Sequence, residues 1–171
     1  MGNVATAEAV EEIQEWGAGC CKVGLACGKT CITKHKTGVS RDMVSTLLDC
    51  QKVSRIPLIA DGGIVHHGDI SKAICCKANM VMAGHLFSGY EQSAGNIIEI
   101  DETEYKEYYG NASKYNKEEL KNIEGKKILV KYRGNMKRLL VELKEDLQSS
   151  ISYIGGRDLD SLRKAEYYIN T

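Results

Sequence analysis

Three short apolar runs, Cys20 to Leu25, Leu58 to Ala60 and Met80 to Ala83, each give way to a glycine-bearing loop. Runs this short, without polar alternation, read as parallel strands covered on both faces. Stretches of helical character separate them. Thr6 can cap a helix whose first turn carries Glu8 and Glu11 and whose stripe is Val10, Ile13 and Trp16, stopped by Gly17. Ser40 can cap a second from about Arg41 to Val53, with Met43, Leu47, Leu48 and Cys50 inward, and Gly68-Asp69 opens a third from Ile70 to about Cys76. Asn3 and Val4 look like the stub of one more strand. Strand and helix in alternation predict an α/β fold with a parallel sheet and right-handed crossovers.

The loop after the first of these runs carries unusual chemistry. From Gly24 to Gly38 it holds two thiols, three threonines, four basic residues and three glycines. Glycine and threonine make poor core, so a functional loop at a strand end is expected here. The pair Gly62-Gly63 after the next strand permits close backbone approach to a ligand.

Beyond Asn96 the texture changes. Ile97 to Ile100 and Tyr105 to Tyr109 flank Asp101-Glu102-Thr103-Glu104 and predict a β-hairpin, and the polar stretch Gly110 to Glu124 has the composition of a mobile flap. A short strand, Lys127 to Val130, precedes an amphipathic helix from about Asn135 to Ser149. Its stripe is Met136, Leu139, Leu140, Leu143 and Leu147. Gly155-Gly156 ends that region, Asp158 can cap a last helix through Lys164, and Tyr167 to Ile169 finishes extended.

Composition removes several alternatives. Twenty-three basic and 23 acidic residues cancel, so no global field recruits nucleic acid or an anionic membrane. Seven cysteines, an odd number, in 171 residues without a secretory signal read as reduced thiols of a cytoplasmic protein. The vicinal pairs Cys20-Cys21 and Cys75-Cys76 lack zinc-ligand spacing and read as apolar filler. No apolar run approaches the roughly 20 residues that span a bilayer.

The segments Lys22-Val23-Gly24, Cys31-Ile32-Thr33-Lys34, Lys36-Thr37-Gly38, Ile59-Ala60-Asp61-Gly62-Gly63-Ile64 and His67-Gly68-Asp69-Ile70 together resemble the inosine-monophosphate dehydrogenase and guanosine-monophosphate reductase family. Glu124-Gly125-Lys126-Lys127 and Gln148 to Tyr153 extend the likeness, and the bacterial reductases are the nearest pattern. The resemblance implies the C-terminal half of a TIM (β/α)8 barrel, strands five to eight, with a hairpin and flap inserted after the last strand at about 96–126, all in one domain, 1–171. A full barrel takes about 250 residues. Half of one leaves two strand edges and an apolar face to be covered by association. The family implies a homo-oligomer, a tetramer.

As function, the resemblance implies NADPH-dependent reductive deamination of GMP to IMP and ammonia through a thioimidate on Cys31, with Thr33 and Glu124 handling the proton of the departing amine. A thiolate suits the task because it is both a nucleophile and a leaving group, and Lys29, Lys34 and His35 bring positive charge near it. Asp61 matches the acceptor of ribose hydroxyls, and Gly62, Gly63 and Gly84 match backbone phosphate donors. His85, Gly125 and Lys126 complete the implied substrate site, and the carbonyls of Gly28 and Cys31 match contributors to a potassium site. Two other readings stand beside it. One is an IMP dehydrogenase, disfavoured because Gly110 to Glu124 holds no arginine for that branch's water-activating Arg-Tyr pair. The other is a catalytically silent, phosphate-binding piece that needs an N-terminal half.

The chain also departs from the family pattern. Ala26-Cys27-Gly28 stands where the family has Gly-Pro-Gly, and a positive φ there would strain the alanine. His85 stands where the family has Gly or Ser and would crowd or recharge a phosphate pocket. Tyr90 replaces a histidine, and Lys77-Ala78-Asn79 a glycine-containing turn.

Overall fold

The computed structural model describes residues 1–110, 112–115 and 123–168. Most of the stretch expected to form the flap, and the end of the tail, lie outside the described residues.

Strands β1 (Gly2–Val4), β2 (Cys21–Val23), β3 (Leu58–Asp61) and β4 (Met80–Met82) form a parallel sheet in that order. Cys21 stands opposite Leu58, Val23 opposite Ala60, and Asp61 opposite Met82. The register puts Cys21, Val23, Leu58 and Ala60 on one face, all buried. Helices α1 (Ala7–Glu15), α3 (Met43–Cys50) and α4 (His67–Cys75) supply Val10, Ile13, Leu47, Cys50 and Ala73 to the same core.

The other face departs from the reading of each run as covered on both sides and agrees with the open face that half of a barrel implies. Lys22, Ile59, Asp61, Met80 and Met82 alternate onto it, and Met80 and Met82 remain 55% and 44% exposed. Among the described residues the helices therefore cover one face, and the C-terminal ends of the strands open onto the other.

Local chemistry sets the element ends. Thr6 caps α1 by accepting the Ala9 amide at 3.3 Å, and Gly17 follows it at φ +80°. The second cap is Asp42, not Ser40: its carboxylate accepts the Ser45 amide at 2.9 Å. That helix is accordingly two residues shorter at its start. Helix α4 begins at His67, earlier than expected, because Asp69 reaches back to the amides of Val65 and His66 at 3.1 and 2.8 Å. A short helix unforeseen in the sequence, α2 (Thr33–Thr37), lies inside the cysteine loop and ends at Gly38, φ +73°.

All seven cysteines are free. One member of each vicinal pair, Cys21 and Cys76, is buried with its thiol pKa raised by burial, as filler would be, while Cys20 and Cys75 are half-buried; the isolated Cys50 is buried too, its thiol pushed up to about 11.

Beyond β4 a one-turn 3-10 segment, His85–Phe87, leads to an antiparallel sheet of β5 (Ile97–Ile100), β6 (Thr103–Tyr109) and β7 (Lys127–Lys131). Only Asp101 and Glu102 form the turn, both at positive φ, so β6 starts two residues earlier than its sequence pattern indicated. Lys127–Lys131 becomes the partner of β6. Buried Lys106 fastens this sheet to the rest by donating to the carbonyls of Tyr90 and Glu91, both at 2.8 Å.

Helix α5 (Lys137–Tyr153) packs Leu139 and Leu143 on the core beside Met136, the residue before it, while Leu140 points to solvent, and α6 (Leu159–Lys164) is capped by Asp158.

Candidate active site

Strand β2 leaves the sheet through Gly24 at φ +136°. A β-carbon there would lie 2.2 Å from the Asp61 carbonyl, so this exit accepts only glycine. The chain then passes Ala26 at φ +62°, the strained alanine anticipated from its sequence context. Cys27 faces inward and donates its thiol to the Arg41 carbonyl at 3.1 Å, and burial raises its pKa.

A tight turn brings Cys31 into position, its amide donating to Gly28 at 3.0 Å. The Cys31 thiol lies 3.1 Å from the Thr33 hydroxyl, which in turn donates to the Glu124 carboxylate. Thiol, hydroxyl and carboxylate thus form one hydrogen-bonded row.

Main-chain bonds hold the carboxylate end of this row. Ile32 donates to the Glu124 carbonyl at 2.8 Å and Lys126 to the Thr30 carbonyl at 2.9 Å, which sets Gly125 antiparallel to Cys31. Glu124 and Gly125 both donate to Ala112, each at 3.0 Å. A β-carbon on Gly125 would meet the Ser113 amide nitrogen at 2.8 Å. The Lys126 side chain is exposed; its backbone does the docking.

Beside the row, on the open face of the parallel sheet, lies a cavity of about 350 Å³. Gly28, Lys29, Asp61, Gly62, Gly63, Gly84, His85 and Tyr108 are among its walls. Gly62 and Gly63 adopt φ +106° and +77°, conformations that favour glycine. The Asp61 carboxylate accepts from Asn3 Nδ2 and Lys22 Nζ, both at 2.9 Å and both at Oδ2. One oxygen is fixed from two sides while the group still faces the cavity.

Of the residues singled out from sequence, Cys31, Thr33 and Glu124 come together in the row, and Asp61, Gly62, Gly63, Gly84, His85 and Gly28 come together in the cavity. Cys31, Thr33, Glu124, Gly125 and Lys126 do not line the cavity. The two groups adjoin at Gly28, where a β-carbon would lie 3.5 Å from that of Cys31.

Tyr108 was not foreseen. It reaches from β6 so closely that a β-carbon on Gly84 would lie 2.5 Å from its hydroxyl. Burial raises the pKa of that phenol, while a hydrogen bond to the Thr30 hydroxyl opposes the shift. No local pattern in the sequence aims it there, because its aim follows from the pairing of β6 with β7.

His85 sits 5.8 Å from the Tyr108 ring, centroid to centroid. Its Nδ1 is buried and has no hydrogen-bond partner among the described residues.

The two carbonyls matched to a cation site lie close together in the chain. Gly28 and Cys31 offer carbonyls from a single turn, and that of Gly28 already accepts the Cys31 amide. Among the described residues no cluster of three His, Cys, Asp or Glu side chains is placed to hold a metal.

A family model described as IMP dehydrogenase / GMP reductase domain matches residues 1–171. The GMP reductase of Chromobacterium violaceum is 59% identical over 165 residues, 96% of this chain and 52% of that protein. The GMP reductase of Streptococcus equi subsp. equi is 54% identical over 170 residues, 98% and 52% respectively. The chain therefore spans about half the length of the curated relatives it matches. Among solved structures, a GMP reductase from Trypanosoma brucei in complex with guanosine 5'-monophosphate superposes with a TM-score of 0.88 at 31% identity, over 95% of this chain and 36% of that one. The match takes in every residue of the sulfur row and of the glycine-lined cavity, and this chain belongs to the IMP dehydrogenase / GMP reductase family.

Proposed function

We propose that this chain carries the nucleotide-binding and covalent-chemistry part of a GMP reductase, which converts GMP to IMP and ammonia. The observation that carries the reading is the row from the Cys31 thiol through the Thr33 hydroxyl to the Glu124 carboxylate, adjoining a cavity walled by Asp61, Gly62, Gly63 and Gly84. The names of the relatives favour reduction over IMP dehydrogenation.

In this reading the phosphate lies against the amides following β3 and β4, and the ribose hydroxyls donate to Asp61. Gly125 and Lys126 act through their backbone, keeping Glu124 against the Thr33 hydroxyl. Glu124 draws the proton of Thr33, whose oxygen takes the proton of the thiol, and the sulfur adds to C2 of the purine. The bond from C2 to the exocyclic nitrogen then breaks. Thr33 and Glu124 return the proton, so that the amine leaves as ammonia and a thioimidate remains on Cys31. A reduced nicotinamide, NADPH by the family resemblance, supplies when bound the hydride that C2 needs before the thiolate departs and IMP is released. The donor set fits that chemistry in one respect: the leaving amine has a proton source beside the nucleophile. Potassium enters no step.

Cys31→Ala tests the assignment. Turnover is expected to vanish with GMP affinity within about twofold, because the cavity walls are untouched. Ammonia released from GMP by the variant overturns it.

Ala26 in a strained conformation and His85 in the cavity wall favour a second reading, nucleotide binding without turnover. Cofactor absorbance after adding GMP and NADPH separates the two, measured with and without the remaining length that the relatives carry. Turnover by the chain refutes the silent reading.

A further inference from the structure

His85 stands between two cavities. On one side is the glycine-lined cavity; on the other is a second, of about 420 Å³, whose walls include His66, His67, Tyr90, Arg133 and Glu142. The imidazole follows Gly84 directly at the exit of β4, beside the backbone to which a phosphate is assigned above. Its Nδ1 is buried without a hydrogen-bond partner among the described residues, and a buried polar atom of that kind calls for an explanation.

The groups facing it come from several elements. Lys29 of the cysteine loop and Arg133 beyond β7 act on it with positive charge, and the Tyr108 ring of β6 lies against it. Lys22 and Asp61 share the first cavity, already paired with each other at 2.9 Å. His66, His67 and Glu142 share the second, and His67 is held by Asp146 at 2.6 Å. Burial first, and then the two cations, lower the pKa of His85, which favours the neutral ring. An arriving phosphate dianion reverses the local field. It offsets both cations and offers an acceptor to a charged N–H, and charge-assisted bonds of this kind are the strong ones.

We propose that His85 takes up a proton when a nucleoside monophosphate binds, so that this chain holds its nucleotide more tightly as pH falls from 8 toward 6.5. The inference rests on the cavity being the phosphate site. By linkage, the proton that binding draws in is the same proton that strengthens binding. One linked proton allows at most about a tenfold change in affinity per pH unit. The phosphate's own second ionisation, near pH about 6, works the other way.

The test is GMP binding by calorimetry to the full chain and to His85→Ser and His85→Gln, at pH 8, 7.25 and 6.5, in two buffers of different ionisation enthalpy. Circular dichroism checks that each variant folds, and glutamine keeps the volume should serine leave a void. The wild-type Kd is expected to tighten about fivefold across this range with net proton uptake. Both variants are expected to show flat or weakening affinity and no uptake beyond the phosphate's own. At pH 7.5 the His85 ring resonances should move to imidazolium positions on adding GMP and stay put on adding guanosine, which lacks the phosphate. Variants that keep the wild-type pH profile and uptake overturn the role of His85 while leaving the nucleotide site standing. GMP that binds no better than guanosine, or not at all at any of the three pH values, instead removes the phosphate assignment, and the proton linkage with it.

Discussion

The two parts of the site are built in different ways. The cavity walls at Asp61, Gly62, Gly63 and Gly84 continue directly from β3 and β4, so the hydrogen-bond ladder that makes the sheet also fixes their backbone. The sulfur row joins segments 91 residues apart and depends on a short antiparallel contact between Thr30–Ile32 and Glu124–Lys126. One part forms with the sheet; the other exists only while a distant segment stays docked. Binding and turnover should therefore come apart under mutation, each in its own direction.

The largest split is expected from Glu124→Gln. Glutamine keeps the backbone contacts of Glu124 and nearly its shape but cannot accept the proton passed along the row. Loss of a positioned acid-base group typically removes 10²–10⁴-fold of rate, so ammonia release should fall by about 10³-fold while GMP affinity stays within about twofold. Equal losses in both would mean that the row and the cavity act as a single unit.

Gly62→Ala attacks the other part. The glycine sits at φ +106°, and a β-carbon would lie 3.0 Å from the Cys27 β-carbon and 3.1 Å from the Gly28 nitrogen, so backbone has to move. A destabilisation of about 2–3 kcal/mol follows from the strained φ and the close contacts together. GMP affinity should weaken by at least about tenfold, with the rate at saturating GMP falling less. Urea denaturation and GMP titration read the two effects. An unchanged affinity would move the phosphate away from β3.

What the sequence displayed of this arrangement follows from the range of each interaction. The strands after residues 20, 57 and 79 stood out because a mostly apolar run leading into a glycine-bearing loop is a local signal, and so did the caps at Thr6 and Asp158. The uncovered sheet face was reached only through the family resemblance to half a barrel, not from the runs themselves. Runs of three or four residues are too short for the alternation of Lys22 or Met80 and Met82 to separate one covered face from two. Helix α2 stayed hidden because five residues, Thr33–Thr37, include no apolar stripe. The partnership of β7 with β6, and through it the aim of Tyr108 at Gly84, are long-range pairings that no window of sequence contains. Cys31 and Thr33 share one loop, whereas Glu124 could be joined to them only through the family resemblance.

The smallest expected effect concerns the loop common to both parts. Ala26 holds φ +62°, a region that costs an L-residue about 1–2 kcal/mol, and Gly24 two positions earlier shows that β2 leaves the sheet through tight geometry. Ala26→Gly removes that strain but gives the unfolded chain back about 0.5–1 kcal/mol of backbone freedom. The net gain should be about 0.5–1 kcal/mol, read as a rise of about 1–4 °C in Tm. Cys27 and Gly28 follow directly, one anchored to the Arg41 carbonyl and the other lying between the cavity and the sulfur, so this substitution also asks which part the strain serves. With the loop pinned on both sides of residue 26, GMP affinity and turnover should both stay within about twofold, and the strain then belongs to stability alone. A rise in turnover without a change in affinity would show instead that Ala26 holds Cys31 away from its best position, and that the row is set by the loop before it as much as by the segment docked upon it.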